Sequence, residues 1–311
     1  MYMSKPILKS EIRKHYFLNK YVIITPGRSR RPRDMMEETM IKKDGLCVFC
    51  PEKIDKKQVI DDLGGLKNWQ MLVMANKFPA VTLDNPKAYG VQEVIVETPE
   101  HGPEIADFDE DKIADLLKIY AKRTKAVSKN DKIDYVLIFK NSGSKAGASL
   151  YHSHSQLFAT KLMPPEVLDE IVQSQNYKSE KGTCPYCDII KKEMKSERKI
   201  YEDALVAAIA PYASEYHYET WIFPKRHLDN ITKLNDEEFQ SFAKIFKKVL
   251  LKLKKLNISY NLYVHQVISF TDQHFYLKIQ PRDSIWAGVE LGSGLIINSV
   301  SPEEAAKYYR K

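Results

Sequence analysis

Two kinds of hydrophobic period alternate along this chain. MLVMANKFP (71–79) is an apolar run and VQEVIVET (91–98) alternates apolar with polar positions as a strand does. Ile113, Leu116, Leu117 and Tyr120 then recur at helical spacing, with Asp107 or Asp109 as the expected cap. Two more strand candidates follow, DYVLIFKN and HSHSQLFAT.

The same order returns further along. ALVAAIAPY (204–212) and YETWIFPKRH precede a helix that sets Phe239, Phe242, Phe246, Val249, Leu250 and Leu253 on one face, and Asn235 with Glu238 forms its capping box. YNLYVHQ and HFYLKIQP close the series as strands. This is self-similarity on the scale of a domain, not the short period of a solenoid. The chain therefore reads as α+β, with two related tandem halves, residues 1–170 and 171–311, each an antiparallel sheet packed with helices. The polar, lysine-rich IVQSQNYKSEKGTC (171–184) reads as the linker between them.

At 311 residues the chain exceeds what one core usually holds, and 43% hydrophobic residues with 11% aromatics exclude a disordered protein. No run of about 18 apolar residues occurs, and MYMSKPILKSEIRKHYF lacks a signal-peptide core, so the expected location is the cytoplasm with no membrane partner. A net charge of +7 suits anionic ligands such as nucleotides and sugar phosphates, or simply a solvated lysine-rich surface.

The four cysteines form two knuckles, CVFC (Cys47, Cys50) and CPYC (Cys184, Cys187). In a reducing compartment such pairs point to metal before disulfide, with buried thiols or redox chemistry as alternatives. A redox pair opens a helix after a strand, whereas Gly45 and Gly182 ahead of the two pairs indicate turns. Each knuckle is followed by two spaced histidines, giving two four-ligand sets that suit tetrahedral zinc: Cys47, Cys50, His101 and His152, then Cys184, Cys187, His227 and His274.

HSHSQ (152–156) gains meaning from this. On a strand, His152, His154 and Gln156 share one face while Ser153 and Ser155 share the other. If His152 grips metal, His154 beside it is a free imidazole, a competent nucleophile near neutral pH, and Gln156 is a neutral hydrogen-bonder in line with it. The matching strand of the second half reads His274, Tyr276, Lys278, with no second imidazole, so only the first half carries covalent chemistry.

VIITPGRSRRP (22–32), CVFC, VQEVIVETPEH (91–101), NSGSKAGASLYHSHSQ (141–156) and AGVELGSGLIINSVSPEEAA resemble the galactose-1-phosphate uridylyltransferase family, the transferase branch of the histidine-triad superfamily, over almost the whole chain. The resemblance implies two tandem histidine-triad-like domains, the first catalytic and the second degenerate, and a ping-pong exchange in which His154 attacks the α-phosphorus of a nucleotide sugar. It places Gln156 on the phosphoryl oxygen and Asn141, Gly147 and Ser149 in the phosphate loop. Arg28, Arg31, Asn76 and Lys77 become nucleotide-sugar contacts, and Glu290 a hexose contact from the second half. It further implies two zinc sites, with iron the alternative at the second, and a homodimer. HSHSQ, CPYC and PKRH look more like the ADP-glucose phosphorylase subgroup than the bacterial HPHGQ enzymes. Asp272 and Ile296 stand where those enzymes have a ligand histidine and a hexose-binding glutamine.

The reading is a UDP-glucose:hexose-1-phosphate uridylyltransferase. Its runner-up is an ADP-sugar phosphorylase. A zinc-stabilised nucleic-acid-binding protein is the remaining alternative; no nucleic-acid partner is expected, because KIFKKVLLKLKKL is the outer face of an amphipathic helix.

Overall fold

The computed structural model describes residues 9–26, 47–268 and 273–311. In the first half β1 (Glu11–Lys14) and β2 (Tyr21–Ile24) precede β3 (Val59–Leu63), β4 (Met71–Ala75), β5 (Gly90–Val96), helix α1 (Glu110–Val127), β6 (Tyr135–Ser142) and β7 (His154–Thr160). Helices α2 (Pro165–Lys181) and α3 (Pro185–Glu193) lead to β8 (Lys199–Glu202), β9 (Val206–Ile209), β10 (Thr220–Pro224), α4 (Asp236–Leu256), β11 (Tyr260–His265) and β12 (Tyr276–Pro281). The chain ends with α5 (Gly288–Ser293), β13 (Ile296–Asn298) and α6 (Pro302–Arg310).

The fold is α+β, and its repeat is visible in the strand order β3-β4-β5-β7-β6-β11-β12-β10-β9-β8. Read outward from the central antiparallel pair β6 and β11, the two sides are the same arrangement. One sheet thus runs through both halves. A second sheet joins the two ends of the chain, because β13 pairs in parallel with β2.

Helices α1 and α4 cover one face. Their stripes, Ile113, Leu116, Leu117 and Tyr120 in α1 and Phe242, Phe246, Val249 and Leu250 in α4, are almost fully buried, each worth about 1.5–3 kcal/mol of apolar burial. Of the two cap candidates Asp109 is the one: it accepts from Lys112 N at 2.7 Å, while Asp107 closes the capping box of the preceding short 3₁₀ turn. Asn235 and Glu238 make the reciprocal box foreseen for α4.

Two expectations change in detail. The polar stretch read as a linker is mostly helix α2, within which residues 170 and 171 lie. Pro165 starts it, Ile171 and Ser174 are buried, and Gly182, at φ +75°, ends it in the left-handed conformation that costs glycine nothing. Gly182 is therefore a helix stop, and the CPYC pair does open a helix, with Cys184 as the cap of α3 and Pro185 at its first position.

Candidate active site

β7 begins at His154, two residues later than the HSHSQ pattern suggested, but His152 and Ser153 just ahead of it keep the same alternation of sides. Ser153 and Ser155 turn toward α1 into a buried polar cluster. There Glu97 accepts from Lys140 Nζ at 2.8 Å and from Ser153 Oγ at 2.5 Å, and also accepts from Ser155 Oγ. Tyr120 OH lies 2.5 Å from Ser155 Oγ, and Lys140 Nζ also donates to Ser153 Oγ at 2.9 Å and to His154 O at 3.3 Å. Burial alone would raise the Glu97 carboxyl, but Lys140 and the serine hydroxyls outweigh it and hold it below the ordinary carboxylate value.

The histidines turn to the opposite face. His152 Nε2 is 2.7 Å from Thr98 O, and since a carbonyl only accepts, that nitrogen carries the proton and Nδ1 keeps its lone pair. His154 has the reverse arrangement: its Nδ1 donates to His152 O at 2.8 Å, which leaves Nε2 as the free lone pair. Phe49, from inside the CVFC knuckle, packs its ring 5.2 Å from that of His154. Burial lowers the His154 pKa below the ordinary imidazole value; the bond to His152 O opposes this and the Lys140 charge adds to it.

Cys47, Cys50, His101 and His152 bring one ligand atom each into a set whose members all lie within 4.8 Å of one another. Cys50 Sγ is 3.7 Å from His101 Nδ1 and 3.8 Å from His152 Nδ1. A tetrahedral ion with sulfur at 2.3 Å and nitrogen at 2.0–2.1 Å has an S···N edge of about 3.5 Å, so these residues fit a metal with little movement.

In the second half Cys184, Cys187 and His227 form the corresponding set, with Cys187 Sγ 3.5 Å from His227 Nδ1. His274 is not drawn into it as tightly, but its ring centroid is 5.2 Å from that of His227. Its Nδ1 donates to Phe275 O at 3.0 Å and its buried Nε2 has no partner, an orphaned lone pair of the kind a metal ligand supplies. Two Cys/His clusters able to bind metal thus sit at matching places in the repeat. Where His154 stands in the first half, the second has Tyr276, buried and stacked 4.3 Å from His265. Lys278, in the place of Gln156, reaches Glu219 at 3.7 Å.

Gln156 is half-buried on the histidine face, and its Oε1 accepts from Gln92 Nε2 at 3.3 Å. Asn141 is the next-to-last residue of β6, with its Oδ1 accepting from Asn261 Nδ2 at 2.8 Å. Gly147 and Ser149 lie in the exposed loop between β6 and β7, where Gly147 takes φ +84°. Gly143, unmarked in the sequence reading, is needed as well: at φ +83° any Cβ would run into Ser259. Asn76 and Lys77 follow β4, and Asn76 N donates to Gln92 O at 3.0 Å. Glu290 lies apart on α5, where its carboxylate accepts from Ala287 N, and none of its described contacts reaches β7. Arg28, Arg31 and Asp272 lie outside the described residues.

Sequence reasoning missed Phe49, Gln92, Glu97, Lys140 and Asn261. Phe49 sat in plain view between two ligand cysteines, whereas a lysine and a glutamate on different strands gave no sign of being buried together.

A duplicated antiparallel sheet that presents a free imidazole beside a Cys/His cluster defines a protein of the histidine-triad type. A family model for the galactose-1-phosphate uridyl transferase N-terminal domain matches residues 3–164, and one for the HIT domain matches residues 192–273. ADP-glucose phosphorylase of Arabidopsis thaliana is 31% identical, over 97% of this chain and 92% of that protein. Galactose-1-phosphate uridylyltransferase of Thermotoga maritima is 29% identical, over 97% and 98% respectively. Among solved structures, an Arabidopsis thaliana ADP-glucose phosphorylase with bound ADP-glucose superposes with a TM-score of 0.87 at 30% identity, covering 97% of this chain and 99% of that one. A uridylyltransferase structure does so with a TM-score of 0.77 at 27% identity, covering 97% of each chain. The chain belongs to the galactose-1-phosphate uridyl transferase family and is an enzyme of the nucleotidyltransferase type.

Proposed function

We propose that the chain moves a nucleotidyl group from a nucleoside-diphosphate hexose to a phosphate-bearing acceptor through His154. The observation that carries this reading is the His154 tautomer: with Nδ1–H bound to His152 O, Nε2 holds a lone pair on the open face of the sheet. In the first step Nε2 attacks the α-phosphorus and a P–N bond forms. The bond from phosphorus to the bridging oxygen breaks, and hexose 1-phosphate leaves with the electron pair. The imidazole gives up no proton, so the adduct ring is cationic, and the Nδ1–H bond to the His152 carbonyl stabilises that charge. In the second step an acceptor oxygen attacks phosphorus and Nε2 recovers its lone pair. Gln156, Asn141 and the backbone around Gly147 and Ser149 donate to the equatorial oxygens, and Asn76, Lys77, Arg28 and Arg31 hold the rest of the donor.

The donor sets of both clusters, thiolate and imidazole, suit zinc, with iron the alternative at the second. A metal there supplies folding energy and ties the knuckle that carries Phe49 to the strand that carries His154. No helix among the described residues is long and apolar enough to cross a membrane. Exposed Ile285, Val289 and Leu291 beside Glu290 support a homodimer.

The uridylyl version, from UDP-glucose to galactose 1-phosphate, is supported by the family model and the Thermotoga relative. The second version, ADP-glucose with inorganic phosphate as acceptor, is favoured by the Arabidopsis relatives and by HSHSQ with its CPYC knuckle. Incubation with UDP-glucose or ADP-glucose labelled at the α-phosphate, followed by mass spectrometry, separates them. A uridylyl adduct on His154 chased by galactose 1-phosphate supports the first, and an adenylyl adduct chased by phosphate the second. No label at His154 from either donor overturns both.

A further inference from the structure

Both carboxamides of the active site have their oxygen ends tied back. Gln156 Oε1 accepts from Gln92 Nε2 at 3.3 Å, and Gln92 Oε1 in turn accepts from Ala80 N at 2.8 Å. A backbone N–H can only donate, so the Gln92 oxygen must face it and the Gln92 NH₂ group must face Gln156. That forces Gln156 to turn its own NH₂ group outward. The register allows this: Val94 of β5 lies opposite Gln156 of β7, so Gln92 is its diagonal neighbour on the same face. Asn141 is handled the same way. Its Oδ1 accepts from Asn261 Nδ2 at 2.8 Å, and Asn261 is buried, with its own oxygen accepting from Arg282 Nε at 2.5 Å.

The oxygen and NH₂ ends of an amide are nearly alike in shape, so hydrogen-bond partners and not packing decide which end points where. Facing a phosphoryl oxygen, one end donates and the other repels. We propose that Gln92 is a positioning residue that commits Gln156 to act as a hydrogen-bond donor toward the transferring phosphoryl group, with Asn261 doing the same for Asn141. The inference rests on the nucleotidyl-transfer reading above and adds a residue to it. Gln92 is suited to this by its other bonds: its backbone oxygen accepts from Asn76 N, so a single residue links the β4–β5 loop, with Asn76 and Lys77, to the orientation of Gln156.

The test is a double-mutant cycle on the holoenzyme, reading the single-turnover rate of His154 labelling, the donor Kd and the melting temperature. Gln92→Met keeps the length and removes both hydrogen bonds, freeing the Gln156 amide to flip. It is expected to slow labelling about five- to tenfold, the factor of one lost hydrogen bond, with Kd and melting temperature unchanged. Gln156→Ala is expected to slow labelling on the order of a hundredfold, as loss of a transition-state donor does. In that background Gln92→Met has no amide left to orient and costs nothing further. An equal loss from Gln92→Met in both backgrounds, or no loss in the native one, overturns the inference while leaving the transfer reading intact. A native enzyme that takes no label from either donor removes both.

Discussion

Replacing Lys140 by methionine tests how the face behind the histidines is held together. Lys140 and Glu97 are almost completely buried, at 1% and 0% side-chain exposure, with Nζ 2.8 Å from Oε2. Lys140 Nζ also lies 3.1 Å from Oε2 of the half-buried Glu104. Removing the cation strands the Glu97 carboxylate beside this second acid, and breaking such a buried pair costs about 3–5 kcal/mol. The loss has a ceiling, because Glu97 can take up a proton instead. From an unfolded-state pKa of about 4.3 that costs about 4 kcal/mol at pH 7 and about 1 kcal/mol at pH 5. The sign follows from linkage. In the native protein the folded pKa of Glu97 lies below its unfolded value, so its stabilisation is present above that value and lost as pH falls through the folded one. In the variant the folded pKa is raised, so the deficit grows as pH climbs from about 4.3 to 7. Urea unfolding of the metal-loaded protein should therefore show Lys140→Met about 3–4 kcal/mol less stable than the native chain at pH 7 and within about 1–2 kcal/mol of it at pH 5. Glu97→Gln added to Lys140→Met should recover more than half of the pH 7 loss. A deficit equal at both pH values refutes the reasoning, since a packing defect has no reason to titrate.

Other outcomes follow from the same geometry. His154→Ala should reduce labelling by on the order of 10³-fold or more, while metal content, measured by emission spectroscopy, stays intact because His152 and not His154 faces Cys50. Cys50→Ser and Cys187→Ser should each remove about half of the bound metal and lower the melting temperature; full retention in either refutes the matching cluster. His15, half-buried against Phe17 and Trp221, is held down by desolvation to a pKa of about 4. Its neutral form contributes stability above about pH 6.5 that is lost as pH falls toward 4, so His15→Gln should flatten stability across that window, as read by urea titration.

What the sequence disclosed was whatever rested on period and spacing. The stripes of α1 and α4 and the alternation of HSHSQ are local patterns; the Cys/His sets join distant segments but recur in the same order in both halves, and the structure gathers all four members of the first and Cys184, Cys187 and His227 of the second. What stayed hidden depended on meetings between distant segments. Lys140 and Glu97 look like any charged pair in a chain that is 29% charged, and only the pairing of β5 with β7 and β7 with β6 buries them. Gln92 was indistinguishable from other solvent-facing residues of an alternating strand. Helix α2 was misread because its polarity resembles a linker, and the few apolar positions it does bury, such as Ile171, carry no clear stripe.

The mirror order about β6 and β11 has an evolutionary consequence. It is the sheet that two identical ancestral subunits would build by joining edges, with α2 and α3 now serving as the covalent tie between them. Once fused, the copies no longer had to stay alike. On the proposed reading one copy suffices for chemistry: the second has Tyr276, stacked on His265, where the first has His154, yet it still contributes Asn261 across the β6–β11 seam to Asn141.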